Sequence, residues 1–173
     1  MDNISGGISG AISNPMSPEA ILHAYKYYEE IRHRNDDVYK IADLTGYTPD
    51  QILKVKNFLF EETHILSDGI RRFDPSFEIA ETWQRLSDMQ KYIQPHDLLL
   101  IPHEIMEMDL INKGLSQTEA HERTSEKYDY PGESNKFYEA LQIEKNAKIN
   151  PNRTISGGTE HNLQIRDDWD ICL

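Results

Sequence analysis

The sequence is poor in several things, and each shortage excludes something. Cys172 is its one cysteine, so no disulfide can close within the chain and nothing in it is built for an oxidising compartment. No apolar run reaches the ~18 residues of a membrane span, so a membrane is not expected among its partners. The opening stretch MDNISGGISGAISNP lacks both the positive start and the apolar segment of a signal peptide. Positive charge is also scarce: 18 Lys and Arg stand against 30 Asp and Glu, a net charge of −12 over 173 residues. A sequence-independent nucleic-acid binder needs a surplus of cations to neutralise phosphates. The deficit argues against that class, while leaving room for a nuclease with a local basic pocket. A diffuse negative surface predicts a basic protein partner instead. Strand patterning is weak, and Leu98-Leu99-Leu100-Ile101 is the one dense apolar run in the middle of the chain.

What the sequence does contain is helix punctuation. Ser17-Pro18-Glu19 reads as an N-cap followed by a first-turn proline. Ile21, Leu22, Tyr25, Tyr28 and Ile31 follow at helical spacing. Asp36 opens a short helix that Gly46 ends, and Thr48-Pro49-Asp50-Gln51 is a capping box for the next. Asp74-Pro75 is expected to cap a helix with Ile79, Ala80, Trp83 and Leu86 inward, Ser116 to Glu119 form a second capping box, and Ser134 is expected to start the last helix. The spacing predicts an all-α domain over residues 17–147, an orthogonal or antiparallel bundle of about six helices. Residues 1–16 read as a flexible leader and 148–173 as an irregular tail.

The densest chemistry lies in His96-Asp97-Leu98-Leu99-Leu100-Ile101-Pro102-His103-Glu104-Ile105-Met106-Glu107, with Ala120-His121-Glu122 beyond. His103 and Glu107 are i,i+4 neighbours on one helical face. Gly114-Leu115 permits a tight reversal, and at 1.5 Å per residue Glu107 and His121 both lie on the order of 8–10 Å from that turn. An antiparallel helix pair would set them at one level. A carboxylate beside an imidazole can hold its tautomer and make a general base near neutral pH. Two histidines and a carboxylate also suit zinc, but the fifth residue of His103-Glu104-Ile105-Met106-Glu107 is not the histidine of H-E-x-x-H, so no metal ligand is assigned and any cofactor is left unknown. The plainer reading is a solvated helix face with an interhelix histidine. Pro102 either kinks a continuous helix or begins one. His64, Arg71 and Arg72, in the main non-helical stretch, are candidates for holding a phosphate or carboxylate; the competing reading pairs both arginines with the protein's own acids. The segment from Val38 to Lys56 has helix-turn-helix order, but its lysines are few, and a packing corner is the stronger reading.

Together, Ile41 to Phe60, Arg72 to Leu86, Leu98 to Glu122 and Lys127 to Tyr130 resemble, in the order and spacing of their motifs, a helical C-terminal module of bacterial polymorphic toxins and some phage head-associated proteins. The resemblance implies a chain belonging to a larger secreted or injected protein, acting in a target cytoplasm as a nuclease or another toxic enzyme, and neutralised by a dedicated immunity protein. On that basis His103 and His121 are expected as acid–base residues, Glu104 or Glu107 as their orienting carboxylate, and Arg71 or Arg72 as the phosphate holder on a nucleic-acid substrate. The rival expectation is a non-enzymatic acidic interaction module, immunity-like or structural.

Overall fold

In a computed structural model of the protein, residues 12–66 and 68–149 are described. The leader as far as residue 11, Ser67, and the tail from residue 150 with Cys172 lie outside them. The described residues form seven α-helices: α1 Pro18–His33, α2 Asp36–Thr45, α3 Pro49–Phe60, α4 Phe77–Ser87, α5 Asp97–Asn112, α6 Gln117–Ser125 and α7 Tyr130–Ile149. The one sheet among the described residues is a two-stranded hairpin, β1 His64–Leu66 against β2 Gly69–Arg71, in antiparallel register with Ile65 opposite Ile70. The fold is the expected all-α bundle. Among the described residues no helix is long and apolar enough to cross a membrane.

Most helix ends follow the local chemistry. Ser17 accepts from Ala20 N–H ahead of Pro18. Thr48 and Gln51 close their capping box, as do Ser116 and Glu119. Gly46 takes a left-handed φ of 78° where a side chain would be strained. Two starts differ from expectation. Ser76, not Asp74, caps α4 by accepting from Ile79 N–H, because the Asp74 carboxylate is drawn to Arg71 at 3.0 Å. α7 begins at Tyr130 rather than Ser134, because Asp129 accepts from Gly132 N–H at 2.9 Å and acts as the cap.

α5 is the helix the others gather round, touching α3, α4, α6 and α7. That accounts for Leu100 and Ile101 in the apolar run before Pro102, while Leu98 stays exposed. Leu100, Ile101, Trp83, Leu86, Phe60 and Ile52 are fully buried between these elements, each contributing about 1.5–3 kcal/mol by leaving water. Two ionic knots cross the core. Asp37 accepts from Lys56 Nζ (3.0 Å) and Trp83 Nε1 (2.9 Å), tying α2 to α3 and α4. Asp97 accepts from Arg85 Nε and from Thr82 Oγ1, both at 2.7 Å, tying α5 to α4. Lys56 is therefore consumed by packing, and the α2–α3 corner is the helical joint expected.

Candidate functional site

α5 runs straight through Pro102, so the Leu98 carbonyl lacks its helical donor. One residue later His103 and Glu104 turn inward, and Glu107 follows a turn on; all three are buried. The solvated-face reading therefore does not describe them. Gly114, at φ 99°, makes the reversal, and the Ser116 cap starts α6 so that His121 returns to the level of Glu107.

The three side chains meet. His121 Nδ1–H donates to Glu107 Oε2 at 2.9 Å. His103 Nε2 stands 3.2 Å from the same oxygen and 3.4 Å from His121 Nδ1. The other ring nitrogen of His103 donates to the Tyr128 carbonyl at 2.7 Å. That bond fixes the tautomer: in the neutral ring Nε2 carries the lone pair and faces the carboxylate. Gln117 Nε2 donates to the second oxygen of Glu107. His121 alone reaches outward, with about a quarter of its side chain exposed.

The trio opens on a cavity of about 60 Å³, room for roughly four waters. Glu104, Tyr130, Pro131, Ser134, Asp74 and Glu78 also line it. Among the described residues, none that lines it is Lys or Arg. The Ser134 hydroxyl is buried and has no hydrogen-bond partner among the described residues, which is uncommon without a ligand or water to meet it. Burial, and then the charge of Glu107, push the Glu104 carboxyl well above the usual carboxylate range. Burial alone would raise Glu107 too, but the imidazoles of His103 and His121 beside it outweigh that and hold it below.

The remaining expected residues lie elsewhere. His64 donates from Nε2 to the Phe58 carbonyl at 2.8 Å and stacks on Phe73. Arg71 pairs with Asp68 (2.9 Å) and Asp74 (3.0 Å), touching the cavity only through Asp74. Arg72 pairs with Glu61 at 3.3 Å. Thus the arginines are engaged by the protein's own acids, and none of these three side chains lines the cavity. Tyr130, Ser134, Gln117 and the Tyr128 carbonyl carry no local sequence signal as site groups; packing of the helices alone brings them to the trio and its cavity.

Compared with protein-family models, with curated proteins and with solved structures, the chain finds no match in any of the three.

Proposed function

We propose that this chain is a hydrolase of the toxin-effector kind, with His103, Glu104, Glu107 and His121 as its catalytic centre and a nucleic-acid phosphodiester as its first substrate class. One observation carries the hydrolase reading: four ionisable side chains from two helices line one cavity, three of them buried. Desolvating such groups costs several kcal/mol per charge, and their concentration in a cleft is the mark of a reactive site. The effector part rests on the motif resemblance. In the reaction a water oxygen forms the new bond to phosphorus and the bond to the leaving oxygen breaks, its electron pair departing on that oxygen. One proton passes from the water to the cluster, and one is returned to the leaving group, so a single water is consumed.

The test is inducible expression in bacteria of the wild type, His121→Ala and Glu107→Gln, with RNA, DNA and nucleotide pools followed after induction. Growth arrest with nucleic-acid breakdown, lost in both variants while far-UV circular dichroism is unchanged, supports the reading. A harmless wild type that leaves all three pools intact overturns it. A second reading, a non-enzymatic module for a basic partner, is favoured by the net charge of −12 and by the exposed Ile65–Ile70 pair on the hairpin. It predicts a stable complex that His121→Ala leaves unchanged.

A further inference from the structure

The geometry points to a divalent transition-metal site, best suited to zinc, formed by Nε2 of His103, a carboxylate oxygen of Glu107 and Nδ1 of His121. The inference rests on the reading above, that this trio is the centre of the site, and it changes how the water there is activated.

The first argument is metric. The three ligand atoms stand 3.2, 2.9 and 3.4 Å apart. Ligands around tetrahedral zinc, at 2.0–2.1 Å from the ion, are separated by about 3.3–3.4 Å. A circle through three points at the observed separations has a radius of about 1.8 Å, so an ion at zinc distance from each would sit roughly 0.9 Å off their plane. The atoms already occupy three corners of a coordination polyhedron, and side chains need shift only by tenths of an ångström.

The second argument is chemical. Three atoms that can each donate a lone pair crowd within 3.4 Å of one another here. A cation satisfies all three at once. The groups behind them are those that orient metal ligands: the Tyr128 carbonyl holds the far nitrogen of His103 at 2.7 Å, and Gln117 holds the far oxygen of Glu107. A donor set of two imidazoles and one carboxylate suits zinc, whereas magnesium prefers oxygen ligands alone.

The third argument concerns the position left over. Three protein ligands leave a catalytic zinc one open position, and the trio faces the cavity. The buried Ser134 hydroxyl, unpartnered among the described residues, lines the same space and would meet a water or substrate atom held there. The helical register agrees. In H-E-x-x-H the ligands are i and i+4 and the glutamate after the first histidine takes the proton from water. Here Glu107 stands at i+4, Glu104 stands in the base position, and the third ligand comes from α6. An ion would also supply the positive charge that a phosphodiester needs in a cavity where no described lining residue is Lys or Arg.

The test uses the full-length chain without an affinity tag, stripped with chelator and dialysed. Zn²⁺ and Co²⁺ are titrated separately at pH 7.5, by calorimetry and by the visible bands of bound Co²⁺. One ion per chain is expected, with affinity at least ~100-fold weaker in His121→Ala and in Glu107→Gln. Glu122→Gln, altering an exposed neighbour, is expected to bind as the wild type does. A wild type that takes up neither ion, or variants that bind both undiminished, overturn the inference. A chelated chain that still cleaves nucleic acid at full rate overturns the metal and leaves the hydrolase standing. A chain that binds one ion through the trio but cleaves no nucleic acid supports the metal site and removes the substrate reading.

Discussion

Asp97→Ala is expected to be among the most damaging single changes outside the His103–Glu107–His121 cluster. Asp97 is fully buried and accepts from Arg85 Nε, Arg85 Nη2, Thr82 Oγ1 and Gln94 N–H, each at 2.7 Å. Arg85 is almost as buried, and its next carboxylate, Glu81, stands 3.7 Å away. Removing one partner of a buried ion pair strands the other charge and costs about 3–5 kcal/mol. Glu81 offsets part of that, so a loss of about 3–4 kcal/mol is expected. At ~2–4 °C per kcal/mol for a chain of this size, the melting temperature falls by roughly 6–16 °C. The exposed Arg72–Glu61 pair sets the contrast, at ~1 kcal/mol or less. The assay is urea unfolding followed by far-UV circular dichroism, reading the midpoint at unchanged slope. Arg85→Met combined with Asp97→Leu removes both charges and is expected to recover most of the loss. A loss under ~1 kcal/mol for Asp97→Ala, or a double variant no better than the single one, would refute the reasoning. The site is tied to the same knot, because Thr82 also accepts from the hydroxyl of Tyr130, which lines the cavity.

Two further outcomes follow from the ends and edges of helices. Pro102→Ala restores an N–H for the Leu98 carbonyl and is expected to raise the urea midpoint by the equivalent of about 1–2 kcal/mol, part of the ~3 kcal/mol cost of an interior proline; a lower midpoint would show that the surrounding packing requires the proline. Arg34, aided by Lys40, holds the Asp88 carboxyl down from its ordinary 3.8 to about 2. Between those values the unfolded chain binds more protons than the folded one, so this contribution is fully present above about pH 4 and is lost as pH falls through about 2. Urea midpoints between pH 2 and 5 are expected to fall less steeply in Asp88→Asn than in the wild type; parallel curves would mean that the pair does not persist in solution.

Local chemistry alone determined the helical class, most helix starts, the Gly46 and Gly114 reversals, and the i,i+4 placement of His103 and Glu107. Those features depend on backbone donors within a turn or two, where a capping side chain or a missing Cβ is decisive. Even the meeting of Glu107 with His121 was legible, since equal distances from a tight turn put two residues at one level. The rest depended on groups far apart in the chain. Asp37, Lys56, Arg85 and Asp97 are residue types that usually face water, and only the convergence of α2, α3, α4 and α5 makes their burial tolerable by pairing them. Asp74 lost its capping role to Ser76 because Arg71 folded back upon it. Whether the carboxylates at 104 and 107 face open water or a buried cavity was likewise not a local matter. It was decided when α6 and α7 closed over α5, bringing the Tyr128 carbonyl to His103 and leaving Ser134 facing the same cavity. Sequence spacing can place side chains on one face of a helix, but only the packing of other helices against that face removes the water that would otherwise screen them.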